Sequence, residues 1–234
     1  MLTNTFKKLA VIATLVFGFS GFALAVPTLQ LDIGGGYYDA VDETITTNDT
    51  IFTVYALATP GSVSEADILA DTYYLSIALT PQTSDPAGLG SITVNGVTIN
   101  VADMLYGTPP LDGTVDPDLP SHGIYDTLYA EIEFTLDPGS TSATYNSQDN
   151  PGGLDTTGTG TYYAAFDIDA SGLDASVGLH FDLYNLAVKK GSTELDGFAP
   201  FSHDAAMVRV PEATTIALLG LGLLGLGFVS RRRG

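Results

Sequence analysis

Between residues 27 and 208, apolar and polar positions alternate with a period of two, in short runs bounded by Gly, Pro, Asn and Asp. That pattern is the signature of half-buried strands. It is cleanest over residues 127–136. Leu128, Ala130, Ile132, Phe134 and Leu136 fall on one face there, and Thr127, Tyr129, Glu131, Glu133 and Thr135 on the other. A helix would scatter the carboxylates among the apolar groups. Residues 178–188 repeat the pattern, with Leu179, Phe181, Leu183 and Ala187 opposite His180, Asp182 and Tyr184. Further strands are predicted over 28–33, 51–57, 73–79 and 162–168, all rich in β-branched or aromatic residues. Strands at 91–94 and 97–101 flank Asn95-Gly96, a signal for a two-residue type I′ hairpin, and residues 189–192 read as another turn. Helix is confined to one short segment opened by Ser64-Glu65-Ala66-Asp67, a capping-box pattern, and running to about Ala70. Eight or more strands without alternating helices predict an all-β fold: an antiparallel β-sandwich of jelly-roll type, with one short helix, over residues 26–208. Residues 108–123, with four prolines, read as irregular, and 137–160 as a long mobile loop. No repeat of solenoid or propeller period is present.

The two ends break this pattern. Residues 1–25 have the plan of a secretory signal peptide: Lys7 and Lys8, an apolar stretch too short to span a bilayer, then Ala23-Leu24-Ala25, a small-x-small cleavage pattern. Residues 213–230 form a second apolar run, which as a helix would rise roughly 27 Å, close to the thickness of a bilayer core. Arg231, Arg232 and Arg233 follow it directly and favour a cytoplasmic end by the positive-inside rule. The expected topology is an exported body and a single C-terminal transmembrane helix. The Sec translocon and signal peptidase are the partners that such a leader requires.

Charge sharpens this division. The 234 residues carry 27 acids against 8 bases. Between Val26 and Val210 lie 26 acids and only Lys189, Lys190 and Arg209 as bases, a net of −23. A body this acidic does not bind nucleic acid, because neutralising phosphate needs Lys and Arg. It stays soluble and attracts cations. With no cysteine, disulfide scaffolds, thiolate zinc sites, iron–sulfur centres and Cys nucleophiles are excluded.

Val210-Pro211-Glu212, the apolar run and the Arg cluster, in that order, resemble the PEP-CTERM sorting signal of Gram-negative bacteria, although Ala213 stands in place of the second proline. The resemblance implies recognition at the inner membrane by an exosortase-type enzyme and processing near the motif. Delivery to the cell surface or extracellular matrix follows, commonly alongside exopolysaccharide. The alternative is a plain C-terminal anchor without processing. The body resembles the bacterial choice-of-anchor N family in several stretches. These are Pro27-Thr28-Leu29-Gln30-Leu31-Asp32-Ile33, Leu105-Tyr106-Gly107-Thr108-Pro109-Pro110-Leu111, Pro120-Ser121-His122-Gly123-Ile124-Tyr125 and Phe198-Ala199-Pro200-Phe201-Ser202-His203-Asp204. That resemblance implies a surface-anchored β-domain and brings no catalytic residues with it.

Candidate chemistry in the body is sparse. Ser202-His203-Asp204 names the residue types of a hydrolytic triad, but adjacent side chains in an extended segment diverge. No G-x-S-x-G elbow is present. His122 could cap a loop or ligate a metal. Glu131 and Glu133 share a strand face, as the carboxylates of a glycosidase would. The same pattern is equally that of a solvated strand face in an acidic protein. Without Trp, sugar stacking would fall to Tyr, and Tyr37-Tyr38, Tyr73-Tyr74 and Tyr162-Tyr163 are available. Calcium is the ion best suited to Asp112, Asp116 and Asp118, three carboxylates in a proline-stiffened loop lacking EF-hand spacing. No other cofactor is expected. The leading expectation is therefore a non-enzymatic protein of adhesion or matrix structure, and the alternative is an extracellular carbohydrate-binding or weak glycosidase module.

Overall fold

The computed structural model of the protein describes residues 28–61, 63–108, 126–189 and 192–209. The predicted leader with Ala23 and Ala25, the loop carrying Asp112, Asp116, Asp118 and His122, and the tail from Val210 onward with its apolar run at 213–230 lie outside the described residues. Among the described residues no helix is long and apolar enough to cross a membrane.

Two β-sheets form the body. In the first, the strand order is β1 (Leu29–Ile33), β4 (Ile51–Ala58), β11 (Gly160–Asp169), β6 (Ser91–Val94), β7 (Val97–Asn100), and β10 (Thr141–Ala143) also pairs with β11. In the second, the order is β2 (Tyr37–Asp39), β3 (Thr44–Thr47), β14 (Ala205–Met207), β12 (Gly178–Lys189), β5 (Tyr73–Thr80), β9 (Thr127–Phe134), β8 (Leu105–Gly107), with β13 (Ser192–Phe198) also along β12. The expectation of a mostly β fold with one short helix holds. The expectation of an antiparallel arrangement throughout is corrected: β3 and β14 pair in parallel, which makes the second sheet mixed.

The alternating apolar residues meet between the sheets. Leu31, Ile33, Val54 and Ile168 of the first sheet join Ile45, Ile77, Leu79, Phe181 and Leu183 of the second in one core, each fully or almost fully buried. The rings of Phe52 and Phe181 meet edge to face across the interface at 6.0 Å, and those of Phe134 and Phe166 at 5.0 Å. Burying one such side chain contributes roughly 1.5–3 kcal/mol.

Local signals act where they were read. Asn95 and Gly96 both take positive φ, 49° and 79°, as a type I′ turn between β6 and β7 requires. The helix α1 (Glu65–Ala70) starts at Ser64, whose hydroxyl oxygen accepts the Asp67 backbone N–H at 3.2 Å.

Residues 137–160 are not the free loop that their composition predicts. They contain β10, and they are fastened across the outer face of β1, whose five residues are all buried. Gln30 donates from Nε2 to the Tyr145 carbonyl at 2.8 Å and accepts the Ser147 N–H on Oε1 at 2.9 Å. Asp32 accepts the Tyr145 hydroxyl (2.6 Å) on Oδ2, and the N–H groups of Gly152 (2.7 Å) and Ile33 (2.8 Å) on Oδ1. Burial pushes the Asp32 carboxyl above the ordinary carboxylate range despite these donors.

Candidate functional site

The outward face of the second sheet holds a buried polar row. It arises from how β12 is shared. Along its second half β12 pairs with β13, from Tyr184 opposite Phe198 to Lys189 opposite Ser192. Along its first half it pairs with β14, from Leu179 opposite Met207 to Phe181 opposite Ala205. A 3₁₀ turn, Phe201–His203, carries the chain between the two partners. Asp204 follows that turn, one step beyond the Phe181–Ala205 pair, and so stands opposite Asp182. Since inward positions alternate with outward ones, Phe181 and Ala205 enter the core while His180, Asp182 and Asp204 share the outer face.

The three side chains converge. His180 Nε2 lies 3.2 Å from Asp182 Oδ1 and 3.5 Å from Asp204 Oδ2. The ligand atoms of all three lie within 4.8 Å of one another. Asp182 is 0% exposed, Asp204 1% and His180 7%. Ser76, on β5 directly opposite Asp182, is also 0% exposed. Two buried oxygens here receive no hydrogen bond, Ser76 Oγ and Asp182 Oδ2, and neither oxygen of Asp204 has one of good geometry. The Thr44 hydroxyl, beside Asp204 on β3, stands 3.0 Å from the Asp42 carbonyl and also faces the Asp204 carboxyl, which it helps to hold down. Burial raises the Asp204 carboxyl to about 7, although the His180 ring pulls it down, and the Asp182 charge adds to the rise. For His180, burial alone would lower the ring, but Asp182 and Asp204 outweigh it, and the net direction is upward. Such a nest of one imidazole and two carboxylates can hold a proton or a cation.

Period-two alternation puts His180 and Asp182 together on the polar face of their strand, and the structure buries both. Nothing in the sequence joins Asp204 to them; it stands beside Ser202 and His203 in the chain. In the structure that tripeptide is split. The 3₁₀ turn replaces the extended backbone that would splay adjacent side chains, so Ser202 Oγ and His203 Nδ1 are 2.9 Å apart, correcting the expected divergence. His203 Nε2 meets Asn146 Oδ1 at 3.0 Å, and burial lowers the His203 ring below its ordinary value. Asp204 points instead toward His180, so the three residues form no triad.

Glu131 and Glu133 do share a face, and each meets a tyrosine. Tyr184 donates to Glu131 Oε1 at 2.5 Å and Tyr74 to Glu133 Oε2 at 3.4 Å, with the two rings stacked at 5.2 Å. Burial raises the Tyr184 hydroxyl well above the usual tyrosine range. On the edge formed by β13, a cleft of about 440 Å³ is lined in part by Asp71, Tyr73, Asn185, Asp196 and Phe198. Asn185 Nδ2 donates to Asp71 Oδ2 across it at 3.0 Å.

The body closes where the sorting signal begins. β14 ends at Met207, and the Arg209 guanidinium donates to the carbonyls of Ala170 (2.9 Å) and Val177 (3.3 Å), fixing the last described residue to the domain. No curated protein matches the chain. Comparison with family models finds the PEP-CTERM protein-sorting motif over residues 209–233, which include Val210, Pro211, Glu212, Arg231, Arg232 and Arg233. The chain therefore carries the sorting signal of an exported protein that passes through a membrane-associated, exosortase-type processing step.

Proposed function

We propose that the β-domain is a non-enzymatic module of the cell surface or extracellular matrix of a Gram-negative bacterium, released to its site by exosortase-type processing and serving adhesion or matrix structure, with exopolysaccharide as its surroundings. One observation carries the reading: the sorting motif starts at Arg209, the residue whose guanidinium ties the end of the fold to the loop carbonyls. Cleavage beyond that point leaves the sheets, the core and this clamp untouched, so the delivered product is a finished domain. Its net charge of −23 between Val26 and Val210 suits a soluble, cation-attracting matrix component. The test is deletion in the native host, with biofilm cohesion and surface attachment as readouts. Complementation by the wild-type chain and failure by a Pro211→Ala/Glu212→Ala variant supports the proposal. Full restoration by a chain lacking residues 210–234 and retained in the cell refutes it.

A second reading, a carbohydrate-binding module, is favoured by the cleft beside β13, where Asp71, Asn185 and Asp196 offer the carboxylate and amide partners that sugar hydroxyls use. A glycan array on the exported chain decides it: specific binding lost in Asn185→Ala and Asp196→Ala supports the cleft. Polysaccharide turnover abolished by Glu131→Gln or Glu133→Gln would instead make the outer face of β9 catalytic and overturn the non-enzymatic assignment.

A further inference from the structure

We propose that His180, Asp182 and Asp204 form a buried site for a divalent cation of the zinc class, which staples β12 to β14. The inference does not depend on the sorting route or on the matrix role.

Geometry is the first support. A tetrahedral ion with bonds of about 2.0–2.1 Å holds its ligand atoms about 3.3–3.4 Å apart. His180 Nε2 stands 3.2 Å and 3.5 Å from one oxygen of each carboxylate, and all three ligand atoms fall within a 4.8 Å group. The two edges from His180 are therefore already at the lengths of a coordination polyhedron, and the third, between the carboxylates, lies within 4.8 Å.

Unmet valence is the second and independent support. Buried oxygens are ordinarily hydrogen-bonded, and each exception calls for an explanation. Asp182 Oδ2 and Ser76 Oγ lie on one outer-face row with no hydrogen-bond partner, and the Asp204 carboxyl beside them has none of good geometry. His180 brings a single Nε2 toward two carboxylates, so one N–H cannot satisfy both. Beyond the His180 ring itself, no cationic side chain among the described ones compensates either. Among the described side chains Arg209 is the one lysine or arginine, and it is committed to backbone carbonyls. Two carboxylates side by side in a nearly water-free site repel one another, and removing charge from water without a partner is costly. A dication at the common focus of the three ligand atoms would neutralise both carboxylates and supply the missing partner.

The donor set selects the ion. Calcium takes six to eight oxygens and magnesium keeps several waters. An imidazole nitrogen with two carboxylates in a closed site suits zinc, which accepts three protein ligands and a fourth. Ser76, the register partner of Asp182 on β5 with an unpartnered buried hydroxyl, is our candidate for that fourth position, directly or through water. These ligands are different residues from Asp112, Asp116 and Asp118, which lie outside the described residues.

The full chain, purified in detergent and stripped with chelator, is titrated with zinc chloride in competition with a chromophoric chelator. One zinc per chain and a raised unfolding temperature are expected. Asp204→Asn and His180→Gln should each weaken binding by more than the roughly 10–100-fold that loss of an outer-shell partner costs, while the combined change Asp112→Asn/Asp116→Asn/Asp118→Asn leaves it unaltered. Nitrogen-15 histidine NMR on the wild-type chain gives a readout independent of whether any variant folds: added zinc should shift the His180 ring and leave the His122 and His203 rings in place. Absence of stoichiometric binding at micromolar zinc overturns the proposal. So does binding abolished only by the Asp112/Asp116/Asp118 change, or a zinc-dependent shift at His122 or His203 in place of His180.

Discussion

Replacing Asp32 by Ala tests whether residues 144–153 are structural. In the folded protein the carboxylate accepts the Tyr145 hydroxyl at 2.6 Å, the Gly152 N–H at 2.7 Å and the Ile33 N–H at 2.8 Å. Each buried donor left without an acceptor costs roughly 1–3 kcal/mol. Three would cost roughly 3–9 kcal/mol, but two effects reduce this. Water can enter beneath the loop, and deletion removes a carboxylate whose burial is itself unfavourable. The expected net loss is about 3 kcal/mol, a large share of the stability of an ordinary domain. Tyr145→Phe removes only one of the three bonds and should cost about 1–2 kcal/mol. The assay is urea denaturation with the slope checked for constancy, combined with amide hydrogen exchange at Ser147 and Gly152. Protection of both amides in the wild type, lost selectively in Asp32→Ala, is the expected result. Free exchange at these amides in the wild type, or a cost for Asp32→Ala below about 0.5 kcal/mol, would refute the reasoning.

Two further predictions concern the same framework. A Cβ at Gly90, where φ is +83°, would sit 2.0 Å from the Gly172 carbonyl oxygen, whereas Gly88, at +77°, has open space around it. Gly90→Ala should therefore cost roughly 3 kcal/mol or more and Gly88→Ala about 1 kcal/mol, both read from thermal melts. The second prediction is one of pH. The raised folded pKa of Asp32, caused by burial, means that below that value and above the unfolded value of about 3.9 the folded state binds more protons than the unfolded chain. Stability then rises as pH falls through that window and is lost as pH climbs back out of it. Asp32→Asn removes this term, so the wild type should gain on the variant between pH 7 and pH 4.5 in paired urea titrations. A gap that narrows on acidification would contradict the assignment.

How much of this was readable beforehand follows from the range of the forces involved. Short-range signals were legible: the Asn95-Gly96 turn, the Ser64 cap, and the alternation that sends Phe181 and Leu183 inward all depend on neighbours a few residues away. What failed depends on distant partners. Residues 137–160 have the composition of a loose loop, and only the approach of Gln30 and Asp32, more than a hundred residues earlier, converts them into a fastened one. His180 and Asp182 alternate as solvent-facing residues do. Period-two patterning reports which residues share a face and cannot report what covers it. Asp204 reaches them because β14 returns to β12 in a register that nothing local specifies. The Ser202–His203 contact was missed for a smaller reason, a 3₁₀ turn in place of extended backbone. The sorting tail lay at the opposite extreme: motif, apolar run and arginines follow one another directly, so the signal needs no fold to be recognised.

The central claim, a finished β-domain handed over by sorting at its C-terminal signal, is tested most directly by intact-mass and peptide mass spectrometry of the protein recovered outside the inner membrane. The account predicts a mature C-terminus close to Pro211 and Glu212, with the apolar run and Arg231, Arg232 and Arg233 gone. Recovery of the exported domain with those three arginines still attached would contradict it.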